Sequence, residues 1–141
     1  MVDRDLLLRK LALIDEYASQ AAEYRGVTVD AYRGDWRTQR IVERTLQLAI
    51  EACLDVANHL IADRRLPVAS TYAEAFQVLS DQGILEAPVR DAMIGMAGFR
   101  NVLVHEYARI NPGVVVDILQ KQLSDFQRFR DAVLHAVGTV P

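Results

Sequence analysis

The sequence "DWRTQRIVERTLQLAIEACLDVANHLIAD", residues 35–63, is the longest helical pattern in the chain and decides the fold. Its apolar residues recur at steps of three and four, the spacing that collects side chains on one face of an α-helix. A second set of apolar positions widens this face, so the helix is expected to contact several neighbours and to form the centre of a bundle. The first set is Val42, Leu46, Ala49, Cys53, Val56 and Leu60, and the second is Ile50, Leu54, Ala57 and Ile61.

The segments before and after this long helix also have helical spacing. The first helix is predicted over about residues 2–24 and is followed by a polar, glycine-containing connection, "RGVTVDAYRGD". After the long helix, Thr71 and Glu74 form a Thr-x-x-Glu capping box, in which each side chain satisfies a backbone N–H at a helix start. Gly83 lies where a left-handed residue ends such a helix. The sequence therefore predicts a short third helix between these signals.

Two further helices complete the pattern. Pro88 suits a first helical position, and the fourth helix is predicted to run from there through residues 99–107. Gly95 and Gly98 are costly inside a helix, by about 1 kcal/mol each relative to Ala, and close approach of another helix would explain them. Asn111 is a good cap for the fifth helix. No period-two run of strand length is present, so the sequence predicts an all-α bundle of five helices.

Length and composition restrict the class of protein. A chain of 141 residues predicts one domain over residues 1–141. Cys53 is the only cysteine, which excludes an internal disulfide and suits the reducing cytoplasm. The N-terminal sequence lacks the apolar run of a signal peptide, and no stretch is long enough to span a bilayer. A net charge of −3 and a pI near 5.6 argue against a broad nucleic-acid-coating face, but they leave room for a small RNA-cleaving cleft.

The stretch "FRNVLVHEY", residues 99–107, places five polar residues at the end of the fourth predicted helix: Arg100, Asn101, His105, Glu106 and Tyr107. At about 100° per residue, Arg100 and Tyr107 lie within roughly 20° of each other, whereas Arg100 and His105 are about 140° apart. A shared active site therefore requires a bent helix end, long side chains that converge on one cleft, or two copies of the helix meeting at a two-fold axis.

The segment "RNVLVHEY" resembles the Arg-x4-His-x-Tyr motif of the HEPN superfamily. It is most similar to the HepT branch, the toxin component of HEPN and minimal nucleotidyltransferase (MNT) toxin–antitoxin pairs. The resemblance covers nearly the whole chain, through "RTLQLAIEACLDVANHLIA", "TYAEAFQVLSDQGIL" and "MAGFRNVLVHEYARIN". Asn111 departs from the Asp that relatives often have after the Ile, but Asn caps a helix equally well.

The resemblance implies a five-helix HEPN bundle with a long second helix, a homodimer formed through the motif helices, and a metal-independent endoribonuclease without a cofactor. RNA would be cleaved by attack of the 2′-hydroxyl. The residue chemistry is compatible, because the His105 imidazole exchanges a proton near neutral pH and the Arg100 guanidinium matches a phosphate. Asn101 would fix the imidazole or contact phosphate, and Tyr107 would hydrogen-bond the substrate.

The resemblance further implies the toxin of a type VII system, neutralised by a nucleotidyltransferase antitoxin that transfers AMP to the motif tyrosine, Tyr107. Added charge and bulk there would repel the phosphates of RNA. Two other functions stay open on the sequence. One is a non-catalytic helical partner that binds nucleotide or substrate for a nucleotidyltransferase. The other is a structural dimer with a vestigial motif.

The second helix also carries a polar stripe: Arg40, Arg44, Gln47, Glu51, Asp55 and Asn58. Such a stripe is usually a solvated face. The alternative is that Glu51 and Asp55 reach the motif and orient Arg100 or His105, and the sequence does not choose between the two. Glu106 is interpreted as a solvated charge. His59 and His135 lack clustered ligand partners, so no metal site is expected.

Overall fold

The computed structural model describes residues 3–138 and contains only helices and their connections in that range. Seven α-helices follow one another. They are α1 (Arg4–Ala22), α2 (Val29–Arg33), α3 (Trp36–Asp63), α4 (Tyr72–Asp81), α5 (Ala87–His105), α6 (Pro112–Asp117) and α7 (Ser124–Val137). A 3₁₀ turn, Tyr107–Arg109, separates α5 from α6, and a π-helical segment, Ile118–Gln122, leads from α6 towards α7.

The all-α prediction is confirmed, but the predicted count of five helices is corrected to seven within the described residues. The polar connection after α1 contains α2, which begins at a cap where the Thr28 hydroxyl accepts from the backbone N–H of Ala31 at 3.1 Å. Burial of Tyr32 fixes this short helix to the rest of the bundle. The fifth predicted helix is divided because a π turn interrupts its α-helical hydrogen bonding. The predicted start of α1 at residue 2 lies outside the described residues.

Helix α3 is central, as its sequence predicts. It packs against α1, α2, α4, α5 and α7, and both of its predicted apolar sets are buried. Cys53 is fully buried within this packing, and burial raises the pKa of its thiol, which is expected for a residue that serves packing alone. Beside α3, the rings of Phe76 and Phe129 meet edge to face with centroids 5.6 Å apart, which joins α4 to α7.

Helix caps account for most of the predicted element starts. The Thr71 hydroxyl accepts from the backbone N–H of Glu74 at 3.1 Å, as the capping box requires. The Glu74 carboxylate, however, binds the hydroxyl and backbone N–H of Ser70 at 2.7 and 2.8 Å, and these bonds lower its pKa. Gly83 has the left-handed φ of +77° predicted for it, and Asn111 caps α6 through a 2.8 Å bond from the backbone N–H of Gly113.

The glycines of α5 do not have the packing expected from the sequence. Gly95 and Gly98 are exposed, and a Cβ built on either would meet nothing within 4 Å. No described helix of the same chain therefore approaches them closely, and the predicted close contact is absent within one protomer. They instead leave a shallow, open strip on the outer face of α5. None of the helices within residues 3–138 has the length and apolar character needed to cross a membrane.

Candidate active site

Arg100 is held against α3 by a carboxylate of the polar stripe. Its Nε and Nη2 atoms both donate to Oε2 of Glu51, at 3.0 and 2.9 Å, and the Gln47 amide donates to the same oxygen at 3.2 Å. The ring of Tyr72 covers the guanidinium, with 4.7 Å between the Arg100 carbon Cζ and the ring centroid. The Arg100 side chain is only 13 % exposed. Three contacts thus fix the guanidinium, and Gln47 holds the carboxylate that makes two of them, while Nη1 has no acceptor within the described chain.

His105 lies on a different side of the same helix. It is the last residue of α5, because Glu106 leaves the helical conformation at φ −132° and ψ 46°. The His105 side chain is exposed, and it makes no hydrogen bond or ion pair with the described residues. Arg100 faces α3 and His105 faces outward, as the 140° separation in an ideal helix predicts. One protomer therefore does not bring the two side chains into contact.

Tyr107 follows this break and contacts the first turns of α3. The residue is 49 % exposed, and Nη1 of Arg40 donates to its hydroxyl. The Arg40 guanidinium also lies over the ring, with Cζ 5.0 Å from the centroid. Tyr107 thus contacts the same polar stripe of α3 as Arg100, although it lies beyond the end of α5, where the ideal-helix angle of roughly 20° no longer applies.

A buried carboxylate lies behind this tyrosine. Glu43 is the one charged side chain that is buried among the described residues, with 8 % exposure. Tyr32 donates to its Oε2 at 2.8 Å, and Nη1 of Arg40 lies 3.8 Å from its Oε1. Burial, together with this hydrogen bond, raises the pKa of Tyr32. A polar chain thus runs from Tyr32 through Glu43 and Arg40 to Tyr107. Sequence reasoning missed Tyr32 and Glu43, because only the tertiary structure brings α2 against α3.

Asn101 lines an open pocket of about 380 Å³ between α3, α5 and the start of α4. Asn58 and Tyr72 line the same pocket, and neither asparagine amide has a hydrogen-bond partner within residues 3–138. Sequence reasoning also missed Tyr72. Its place as the first residue of α4, directly after the Thr71 cap, was predictable, but its contact with Arg100 was not.

Two residues of the stripe on α3 bind motif residues, since Glu51 binds Arg100 and Arg40 binds Tyr107. Asn58 only lines the same pocket as Asn101. Asp55 binds Nζ of Lys10 on α1 instead of orienting Arg100 or His105. Of the two alternatives left open for Asp55, orientation of Arg100 or His105 is therefore not what one protomer shows.

Two remaining expectations concern surface charge and metal. Glu106 pairs with Arg109 at 2.9 Å on the surface, in line with its interpretation as a solvated charge. Within the described part of the chain, no three His, Cys, Asp or Glu side chains cluster as metal ligands would. The site thus presents a fixed guanidinium, an exposed imidazole at a helix end and a half-exposed tyrosine, which are groups suited to phosphate binding and proton transfer.

Comparison with known proteins shows which family the chain matches. Residues 14–133 match the HepT-like family, described as ribonuclease HepT-like. The chain is 30 % identical over 129 residues to the mRNA nuclease HepT of Shewanella oneidensis, which covers 92 % of this chain and 96 % of that protein. It is 32 % identical over 106 residues to the tRNA nuclease HepT of Aphanizomenon flos-aquae, which covers 75 % of this chain and 72 % of that protein.

Solved structures agree with the sequence comparison. The tri-AMPylated HEPN toxin of Shewanella oneidensis, in complex with its MNT antitoxin, superposes with a TM-score of 0.85 and 28 % identity, covering 94 % of this chain and 98 % of that one. The resemblance to the HepT branch read from the sequence is confirmed. With the family pattern matched over most of its length, the chain belongs to the HepT-like ribonuclease family.

Proposed function

We propose that this protein is a metal-independent endoribonuclease and the toxin of a type VII HEPN/MNT toxin–antitoxin pair, acting in the cytoplasm without a cofactor. The observation that carries the proposal is the arrangement of Arg100. Its guanidinium is fixed by Glu51 and Tyr72, yet Nη1 has no protein acceptor within the described residues. The nuclease names of two relatives support the same activity.

The proposed reaction follows from the two motif residues. The 2′-hydroxyl oxygen of RNA attacks the adjacent phosphorus, the bond to the 5′-oxygen breaks, and the products are a 2′,3′-cyclic phosphate and a 5′-hydroxyl. The His105 imidazole takes the 2′-hydroxyl proton or delivers the proton that the 5′-oxygen needs. Arg100 stabilises the negative charge that develops on the phosphorane oxygens. Asn101 contacts the RNA beside this phosphate, from the rim of the neighbouring pocket.

A homodimer is part of the proposal, because one protomer separates Arg100 from His105. Two α5 helices related by a two-fold axis would bring Arg100 of one copy towards His105 of the other. The open strip at Gly95 and Gly98 supports this arrangement, since both glycines allow close backbone approach and no described helix of the same chain uses the space.

Regulation of the toxin is proposed to act on Tyr107. The solved Shewanella relative carries AMP and is bound by an MNT antitoxin. In this chain the tyrosine hydroxyl oxygen would attack the α-phosphorus of ATP, release pyrophosphate and lose its proton. The hydroxyl lies on the same side of the motif as Arg100, so the attached nucleotide would occupy the path of the RNA phosphate and add negative charge to it.

RNA cleavage in the presence of chelator tests the activity. We expect Arg100→Ala and His105→Ala each to lower the rate at least about a hundredfold, the usual effect of losing a charge stabiliser or a general acid or base. Circular dichroism should show both variants folded. Arg128→Ala, which removes an exposed arginine paired only with Asp125 on α7, is the matched control and should cleave like the wild type. Cleavage that requires a divalent ion contradicts the mechanism, and a folded protein that binds antitoxin but cleaves no RNA favours the non-catalytic binding role.

Glu51→Gln tests whether this carboxylate positions Arg100. We expect kcat to fall roughly ten- to a hundredfold, because the guanidinium loses its fixed orientation. KM should stay constant or fall, since the released donors bind ground-state phosphate more freely. Asp55→Asn, one turn along α3 and bound to Lys10, should change neither constant. A rise in KM with an unchanged kcat would show that Glu51 does not position Arg100 for the chemical step.

Gly98→Leu tests the proposed dimer. A leucine on the open strip should weaken self-association about tenfold in Kd, because overpacking costs about 1–3 kcal/mol and about 1.4 kcal/mol corresponds to a factor of ten. Analytical ultracentrifugation should show a shift towards monomer and circular dichroism a folded chain. Ala12→Leu adds the same side chain to an exposed position of α1 and should leave the dimer intact. A wild-type monomer at working concentration would contradict the composite site.

Co-expression with an MNT-type nucleotidyltransferase, the proposed antitoxin, tests the regulation. Intact mass should show additions of whole AMP units, peptide mapping should assign them to Tyr107, and Tyr107→Phe should remove them. A catalytically dead antitoxin that still binds is the control. Equal neutralisation by the dead and active antitoxins, with no AMP on Tyr107, would mean that occlusion rather than modification silences the toxin.

A further inference from the structure

A small pocket of about 160 Å³ lies between the N-terminal half of α3 and the end of α5, next to the Tyr107 hydroxyl. Its lining is polar on the α3 side and apolar on the α5 side. The lining residues are Arg40, Glu43, Arg44, Gln47, Leu103 and Tyr107. The Arg100–Glu51 pair lies further along the same stripe of α3, so the pocket adjoins the proposed catalytic residues without including them.

The pocket is lined by two arginines and one carboxylate, that of Glu43, so the positive side chains outnumber the negative one. Arg40 is 54 % exposed, and its nearest carboxylate oxygen, on Glu43, is 3.8 Å away. The other oxygen of Glu43 is turned inward to the Tyr32 hydroxyl. Arg44 is exposed, and it forms no ion pair or hydrogen bond with the described residues. Since residues four apart lie on one helix face, the two guanidinium groups are neighbours on the side of Tyr107. The pocket therefore favours an anion.

We propose that Arg40 and Arg44 bind the phosphodiester of a nucleotide attached to Tyr107, and that this contact holds the nucleotide across the cleft. The inference rests on the proposed modification of Tyr107. Arg40 already donates to the tyrosine oxygen that would carry the phosphorus, and the non-bridging oxygens would lie two bonds from that oxygen. Guanidinium groups bind such oxygens in pairs with charge-assisted hydrogen bonds.

The unmodified and modified states differ in what Arg40 binds. In the unmodified chain Arg40 holds the neutral hydroxyl and lies over the ring. In the modified chain the phosphodiester brings a full negative charge to the same place, and Arg44 becomes its second partner. Leu103, which is almost fully buried, lines the α5 side of the pocket. A nucleotide held in this way remains over the motif instead of moving freely on its single bond.

Release of AMP by a nonspecific phosphodiesterase tests the pocket on protein modified by co-expression. We expect AMP to leave Arg44→Gln and Arg40→Gln about tenfold faster than the wild type, because each variant loses a charge-assisted hydrogen bond that protects the phosphodiester. Arg37→Gln is the matched control on the same helix. Arg37 lies over Trp36, with Cζ 5.1 Å from the ring centroid, and does not line the pocket. Its release rate should equal that of the wild type.

The outcomes separate the pocket from the modification on which it rests. A wild-type chain without AMP on Tyr107 overturns both, whereas full modification with equal release rates in all four proteins overturns the pocket alone. Variants that release AMP at the wild-type rate but show a salt-dependent rise in KM for RNA assign the arginines to substrate phosphate, against this proposal. If neither variant takes up AMP, the ³¹P resonance of modified wild type decides. A shift between the folded protein and the protein in urea supports a bound phosphate, and no shift overturns it.

Discussion

The ion pair between Arg100 and Glu51 ties the motif of α5 to the polar stripe of α3, and the rest of the site is arranged around it. A guanidinium that is 13 % exposed needs a partner, because an unpaired charge at that depth costs several kcal/mol. Glu51 meets this need with both bonds on a single oxygen, and Gln47 and Tyr72 add support from two helices. Arg100 therefore faces α3, and the helical rotation then forces His105 to the opposite, open side. The separation of Arg100 and His105 on two faces of α5 is a direct result of pairing one charge that is largely shielded from solvent.

Much of this architecture could be predicted from the sequence, for identifiable reasons. Helix α3 is long and regular in its apolar spacing, so the sequence predicts which of its residues are buried. Thr71, Gly83 and Asn111 are local signals, because each acts on the backbone next to it in sequence. Helix α2 has five residues and a single buried side chain, too few to show a period. The π turn leaves no signature in residue type.

The side-chain partners were harder to predict, because they depend on how helices cross. Asp55 and Glu51 are one turn apart on α3 and equal in charge, yet one meets Lys10 of α1 and the other meets Arg100 of α5. Their difference comes from the position of two neighbouring helices, which lies outside any local pattern. The same applies to Tyr72 beneath Arg100 and to Tyr32 behind Glu43. The motif residues can be found by family resemblance, whereas the side chains that hold them become apparent only in the fold.

The π-helical segment Ile118–Gln122 and helix α3 differ in how they tolerate the insertion or deletion of a residue. A π turn contains one residue more than the α turn it replaces. Loss of one residue there would restore α-helical hydrogen bonding. The Asn111 cap would stay in place, and the buried side chains of α7 would still face the core. The same loss in α3 would rotate every later side chain by about 100°, taking Arg40 away from Tyr107 or Glu51 away from Arg100. Over evolutionary time, changes in chain length can therefore accumulate near the end of the bundle, whereas the length of α3 is fixed by the contacts on its polar face.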